Sequence, residues 1–174
     1  KGIKMSIRNL RYDGDEILTK KSREIDVIDD KIKQLANDML ETMYSKDGIG
    51  LAACQVGFLK RLVVYDVTYI DEKKGKKPVV MINPKIISYS KNMVTVEEGC
   101  LSFPDIFENV DRHEKITVEY TNLDGKKITG TVKGMEAICI QHEVDHLDGI
   151  VFLDRAGVRL PKKDKKFNLQ SITK

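Results

Sequence analysis

Residues 141–146 read Gln-His-Glu-Val-Asp-His and concentrate metal chemistry in little more than one helical turn. His142 and His146 are two of the chain's three histidines and stand four residues apart. On an α-helix, positions i and i+4 share a face, so both imidazoles can reach one ion. Glu143 follows the first of them, where a carboxylate can hold and deprotonate a water on that ion. This is the constellation of a metal-dependent hydrolase. The competing reading is a surface helix that carries His and Glu by chance.

Two imidazoles do not close a site. Structural zinc takes four protein ligands, whereas catalytic sites keep three and leave one position to water. Downstream, only Asp148, Asp154 and more distant residues are available. Upstream, residues 98–104 read Glu-Gly-Cys-Leu-Ser-Phe-Pro and offer Cys100 beside Gly99. The glycine permits a close backbone approach, and Pro104 breaks the segment. Taken alone, Cys100 reads better as a buried structural thiol, because free cysteine packs as a small hydrophobe. A third segment, residues 48–57 (GIGLAACQVG), crowds glycines and small side chains around Gln55. A buried amide needs partners. On its own this segment reads as a tight helix-to-strand crossover.

The rest of the chain must position these groups. Its 174 residues suit one domain, and 41% hydrophobic residues suffice for a core. No run of 18 apolar residues predicts a membrane helix, and no secretory h-region is visible. The net charge of +3, with 33% charged residues, describes a mixed surface. The lysines at 73, 74, 76 and 77, and those at 162, 163, 165 and 166, are interrupted by Gly75 and Asp164. They read as a solvated loop and tail rather than a nucleic-acid site. Three cysteines (Cys54, Cys100, Cys139) without a CxxC pair point to a reducing compartment.

Ile32, Leu35, Ala36, Met39, Leu40 and Met43 follow a helical period, capped at Asp29 or Asp30 and stopped near Gly48, which can take a left-handed turn. Residues 61–68 read as a strand, and 79–82 and 85–90 as two more, broken at Asn83-Pro84. Residues 93–96 read as a short strand, and 115–121 with 127–132 as a hairpin. A second helix is predicted over 135–148, ended by Gly149. Its first half is apolar on all sides, so His142 and His146 are presented from inside the protein. Residues 150–153 read as a closing strand, His113 as a surface histidine on a loop, and the chain from about 160 to 174 as a polar tail. Strands with segregated helices predict an α+β fold.

Taken together, GIGLAACQVG, EGCLSFP and QHEVDHLDG, in this order and spacing, closely resemble the three motifs of the peptide deformylases. The resemblance spans roughly residues 7 to 155 and implies an α+β fold with small mixed or antiparallel sheets wrapped around the buried helix of the HExxH motif. It implies Cys100, His142 and His146 as metal ligands and Glu143 as the general acid/base. It implies the Gln55 side chain and the Leu101 N–H as oxyanion donors. Gly50 matches a backbone contact to substrate, and Glu98 and Gly99, in the EGCLSFP segment, are also expected to face substrate. Ile49, Ile138 and Cys139 match the lining of a methionine pocket, and Arg112 matches the supporting ion-pair partner of Glu98. The implied reaction is hydrolysis of the N-formyl group from formylmethionine at the N-terminus of nascent polypeptides, releasing formate. The implied cofactor is one divalent ion, Fe²⁺ in the cell, with Zn²⁺, Ni²⁺ or Co²⁺ able to occupy the site. The expected setting is a monomer in the bacterial cytoplasm, or an organelle of a eukaryote, with transient ribosome contact, no specific nucleic acid and no membrane.

Cys54 stands where that family often has Pro or Thr and reads as inert packing. Asp145 and Asp148 can orient an imidazole, and Asp145 reads equally as a solvent-facing or salt-bridged helix residue. Two rival readings stand beside this one. A zinc endopeptidase needs a downstream third ligand and leaves EGCLS unexplained. A non-enzymatic protein with a structural metal needs a fourth protein ligand.

Overall fold

The computed structural model describes residues 4–158; the expected polar tail lies outside them. Helix α1, Asp30–Ser45, starts where expected, with the Asp29 carboxylate accepting the Ile32 N–H at 2.9 Å. Ile32, Leu35, Ala36, Met39 and Met43 form its buried stripe. Its stop differs from expectation. Asp47, not Gly48, takes the left-handed conformation, with φ at 56°. Gly48 instead sits tight against Leu101: a Cβ there would stand 2.6 Å from Leu101 Cδ1, so the leucine side chain would have to move aside.

Seven strands follow: β1 Gly50–Ala52, β2 Leu62–Tyr65, β3 Val79–Tyr89, β4 Met93–Cys100, β5 Phe103–His113, β6 Lys115–Thr121 and β7 Lys127–Lys133. A five-stranded sheet has the order β1-β2-β3-β6-β7, and β4 and β5 form a separate two-stranded sheet. Every named pairing is antiparallel; a lone parallel bridge joins Arg23 to Lys60. Helix α2, Gly134–Leu147, packs against β1, β2, β5, β6 and β7, and so touches both sheets. The fold is therefore α+β, with strands wrapped around the helix of the HExxH motif. Eleven consecutive residues of α2, Ala137 to Leu147, are buried. Just past the helix, Gly149, whose φ of 74° and contact of a would-be Cβ with Thr19 O at 2.5 Å leave room for glycine alone, turns the chain away.

Four strand expectations are corrected. Residues 79–90 form one strand rather than two, because Asn83 takes φ 52° and the ladder to β6 shifts register there instead of ending. The Asn83 amide also secures the kink, donating to Ile25 O at 2.9 Å and accepting the Ile25 N–H at 2.8 Å. The strand expected over 61–68 closes at Tyr65, where Asp66 gathers the following turn by accepting from the Thr68 and Tyr69 N–H groups. The strand at 93–96 extends through Cys100 and pairs with β5 along its length. That places Arg112 and His113 in a strand rather than a loop, with His113 half-buried and its Nδ1 2.7 Å from Ser90 O. Residues 150–153 do not close a sheet; Phe152–Ala156 is a short helix, α3, tucked against β5 and β4.

Candidate metal centre and peptide cleft

Three elements converge on the site: the end of β4, the middle of α2, and the turn Ala53–Val56 that follows β1. The bond pattern of the turn follows from Gln55. Its Oε1 accepts the Ala52 N–H at 2.9 Å, and its Nε2 donates to Ser102 Oγ at 3.1 Å. Nε2 also lies 3.5 Å from Cys100 Sγ. The buried amide thus has its partners and aims its donor edge at the sulfur.

Cys100 Sγ and one nitrogen from each of His142 and His146 all lie within 4.8 Å of one another. Cys100 Sγ stands 3.4 Å from His146 Nε2. Two such ligands on one tetrahedral ion would stand about 3.5 Å apart, given metal–sulfur and metal–nitrogen bonds of about 2.3 and 2.0 Å. The donor set of one thiol and two imidazoles is the right chemistry for a zinc- or iron-class ion. His142 Nδ1 is held by Glu98 Oε1 at 2.8 Å, which leaves Nε2 to face the site. His146 Nδ1 and Glu143 Oε2 are buried without a hydrogen-bond partner among the described residues. The residues present fit an ion.

Electrostatics set the surrounding groups apart. Burial pushes the Glu143 carboxyl up to about 7, partly offset by His142 and Arg112. That is the range in which a carboxylate can accept a proton and return it. Glu98 goes the other way, down to about 2. Burial opposes its charge, but hydrogen bonds from Arg112 and His142 outweigh that cost. Cys54, fully buried, has its thiol raised to about 12 by desolvation and the nearby Glu143 charge. It packs as an inert residue.

A cleft of about 650 Å³ opens onto these groups. Of the residues expected to serve the site, Ile49, Gly50, Gln55, Glu98, Gly99, Cys100, Leu101, Ile138, Cys139, His142 and Glu143 all line it. His146 and Arg112 lie behind its wall, buried at 0% and 3% exposure. A Cβ at Gly50 would come within 2.6 Å of Glu143 Oε1 and 2.9 Å of Cys139 Sγ, so a larger residue there would displace these side chains. Phe107 and Met135 also line the cleft and were not foreseen. Phe107 pairs with Gly99 across the β4–β5 ladder, so only the strand register, unreadable in sequence, puts it there. Ser102, fully buried beside Gln55, was missed too. Asp145 and Asp148 do not touch an imidazole: Asp145 pairs with Arg112 and Arg155, and Asp148 with Arg61.

Three convergent donors beside a buried carboxyl, on the floor of a cleft large enough for a peptide end, define a metallohydrolase. The sequence model of the family described as polypeptide deformylase matches residues 7–162. A peptide deformylase of Rhizobium meliloti is 47% identical over 150 residues, covering 86% of this chain and 85% of that one. One of Endomicrobium trichonymphae is 50% identical over 141 residues, with 81% of each chain covered. Among solved structures, the peptide deformylase of Thermotoga maritima superposes with a TM-score of 0.81 at 39% identity, covering 86% of this chain and 97% of that chain. That of Synechococcus elongatus, in complex with actinonin, superposes with a TM-score of 0.81 at 40% identity, covering 91% and 85%.

The chain belongs to the peptide deformylase family. It is a hydrolase that removes the N-formyl group from formylmethionine at the N-terminus of nascent polypeptides and releases formate. The family is one of metalloenzymes, and the Cys100, His142 and His146 cluster is the candidate site for the ion. No helix among the described residues is long and apolar enough to cross a membrane.

Proposed function

We propose that Cys100, His142 and His146 hold one divalent ion, Fe²⁺ in the cell, and that Zn²⁺, Ni²⁺ or Co²⁺ can replace it. The supporting observation is the mutual approach of the three donor atoms, within 4.8 Å, with the Glu143 carboxyl alongside. An ion held there supplies Lewis acidity toward a carbonyl and toward water at neutral pH.

The chain's own groups do the rest. Glu143 takes a proton from the attacking water, and its raised affinity for that proton lets it pass the proton to the departing amine. Gln55 Nε2 and the Leu101 N–H meet the negative charge gathering on the formyl oxygen. Ile49, Ile138 and Cys139 accept the unbranched methionine side chain in an apolar pocket. β1 is an edge of the five-stranded sheet, so the peptide backbone can add to it at Gly50 and run past Gly99. Main-chain pairing reads no downstream side chain, as an enzyme of many nascent chains requires. The class I type b peptide deformylase of Acinetobacter baumannii has been solved with Met-Ala-Ser bound, a peptide of the expected product type.

The chain acts as one catalytic domain and a monomer, in the bacterial cytoplasm or an organelle of a eukaryote, with transient ribosome contact; the basic segment with Lys73, Lys74, Lys76 and Lys77 is a surface suited to that contact. The test of the metal reading is anaerobic purification with elemental analysis and a formate assay on formyl-Met-Ala. One equivalent of iron is expected, with activity lost to a chelator, restored by Fe²⁺, and higher on formyl-Met than on formyl-Gly peptides. Formate release indifferent to chelation would defeat it.

A further inference from the structure

We infer that Arg155, on the short helix α3, is a positioning residue for the His142 imidazole, acting through Asp145, Arg112 and Glu98. The inference rests on the ligand assignment proposed above. Glu98 Oε1 sits 2.8 Å from His142 Nδ1. Both Glu98 oxygens accept from Arg112, whose Nε and Nη2 stand 2.7 and 2.9 Å away. Arg112 Nη1 then donates to Asp145 Oδ2 at 2.6 Å. Arg155 closes the series from the far side, donating from Nη2 to Asp145 Oδ1 at 2.8 Å and from Nε to Oδ2 at 3.0 Å.

Charges alternate along this line, two carboxylates against two guanidinium groups. Glu98, Arg112 and Asp145 are buried, at 6%, 3% and 8% exposure, while the Arg155 side chain keeps 48% of its surface in solvent. Arg155 is therefore the member through which the buried series meets water. Without it, Arg112 faces two buried carboxylates alone. A buried charge that loses a partner leans on those that remain. Arg112 is then drawn toward Asp145, and the clamp that fixes the Glu98 oxygens against His142 loosens.

The same five-residue helix reaches the ring by a second route. Phe152 lies on the His142 imidazole, with centroids 6.0 Å apart and planes tilted by 30°, and meets Phe103 edge-on at 5.7 Å. α3 thus braces the ligand imidazole by packing on one side and by charge on the other. Residues outside a metal's immediate ligands commonly control its retention in this way.

The experiment measures the rate at which the zinc-loaded protein yields its ion to a chromophoric chelator. Arg155 is half-exposed, so Arg155→Gln is expected to fold; the melting curve of the zinc-free variant checks this. Arg155→Gln should release zinc about tenfold faster than the unaltered chain, the low end of the effect of outer partners. Arg155→Lys, which keeps the charge but not the fork, should fall within about threefold of the unaltered chain. Arg61→Gln removes a different ion pair at the end of α2, to Asp148, and should not change the rate. In a Glu98→Gln background, adding Arg155→Gln should change the rate less than about twofold, because the two act in one line. An unchanged rate in Arg155→Gln, an equal acceleration in Arg61→Gln, or fully multiplicative effects with Glu98→Gln would overturn the inference. Failure of the ligand assignment looks different: the unaltered chain would take up no zinc, or Cys100→Ala would hold zinc as well as the unaltered chain does.

Discussion

Gly50 and Glu143 press against each other so closely that a single methyl group on the glycine would stand 2.6 Å from the Glu143 Oε1 atom. The strand proposed to receive the peptide and the carboxyl proposed to handle its protons are thus one packed unit. The Gly50 backbone does not take a left-handed φ, so alanine is conformationally allowed and only space forbids it. Gly50→Ala is expected to fold and to bind metal, with Glu143 displaced. A shift of about 1 Å at a reacting group costs about 100-fold in turnover. Steady-state formate release should show that loss; turnover within twofold of the unaltered chain would contradict it.

Gln55 is the proposed side-chain donor to the oxyanion. Its Nε2 is 3.5 Å from Cys100 Sγ, at the candidate metal cluster. Gln55→Ala should lower kcat by about 100- to 1000-fold with little change in KM, as expected for a donor whose bond strengthens in the transition state. Because Gln55 also accepts the Ala52 N–H, its removal should lower Tm as well. A kcat loss below tenfold would remove the amide from that role.

Asp66 gives a stability prediction outside the proposed ligand set. The residue is fully buried, and its carboxylate accepts from Tyr44 Oη at 2.6 Å, the Lys77 N–H at 2.8 Å and both the N–H and the hydroxyl of Thr68 at 2.9 Å. Burial disfavours the charge, but these bonds outweigh it and hold the carboxyl below its usual value. The sign follows: the unfolded chain binds the proton more readily, so this stabilisation is present above the unfolded value near about 4 and fades as the pH falls below it. Asp66→Asn should cost about 2–3 kcal/mol at pH 7, the scale of a charged hydrogen-bond network. Denaturant melts at pH 7 and pH 3 should show the gap narrowing. A gap of constant size would refute the account.

Much of this was readable in the chain. The caps and stripe of α1, the β6–β7 hairpin and the buried helix α2 follow from periodicity and turn chemistry. His142 and His146, at helical spacing beside Glu143, stood out as a possible metal site from the residues alone, whereas Cys100 and Gln55 each read alone as packing and were assigned only by the resemblance that the three segments carry together. What stayed hidden has physical reasons. β4 and β5 turn Glu98, Cys100 and Arg112 inward, so polar residues occupy the positions where apolar alternation signals a strand. Asn83-Pro84 looks like a break because a kink and an end use the same residues. Residues 150–153 are apolar enough for a strand, but Phe152–Ala156 is helical, with the Asp154 carboxylate accepting the Val151 N–H at 2.9 Å at its start, Gly157 at φ 71° closing it, and its face packed against β5. The line from Arg155 to Glu98 joins residues far apart in sequence and has no local signature.

The most direct test concerns Glu143. The measurement is formate release from formyl-Met-Ala by Glu143→Ala carrying one equivalent of metal, beside the unaltered chain with the same load. The variant is expected to keep its ion, since Cys100, His142 and His146 remain, and to lose at least about 100-fold in turnover with its proton carrier gone. A metal-loaded variant that releases formate at the rate of the unaltered chain would contradict that role for Glu143.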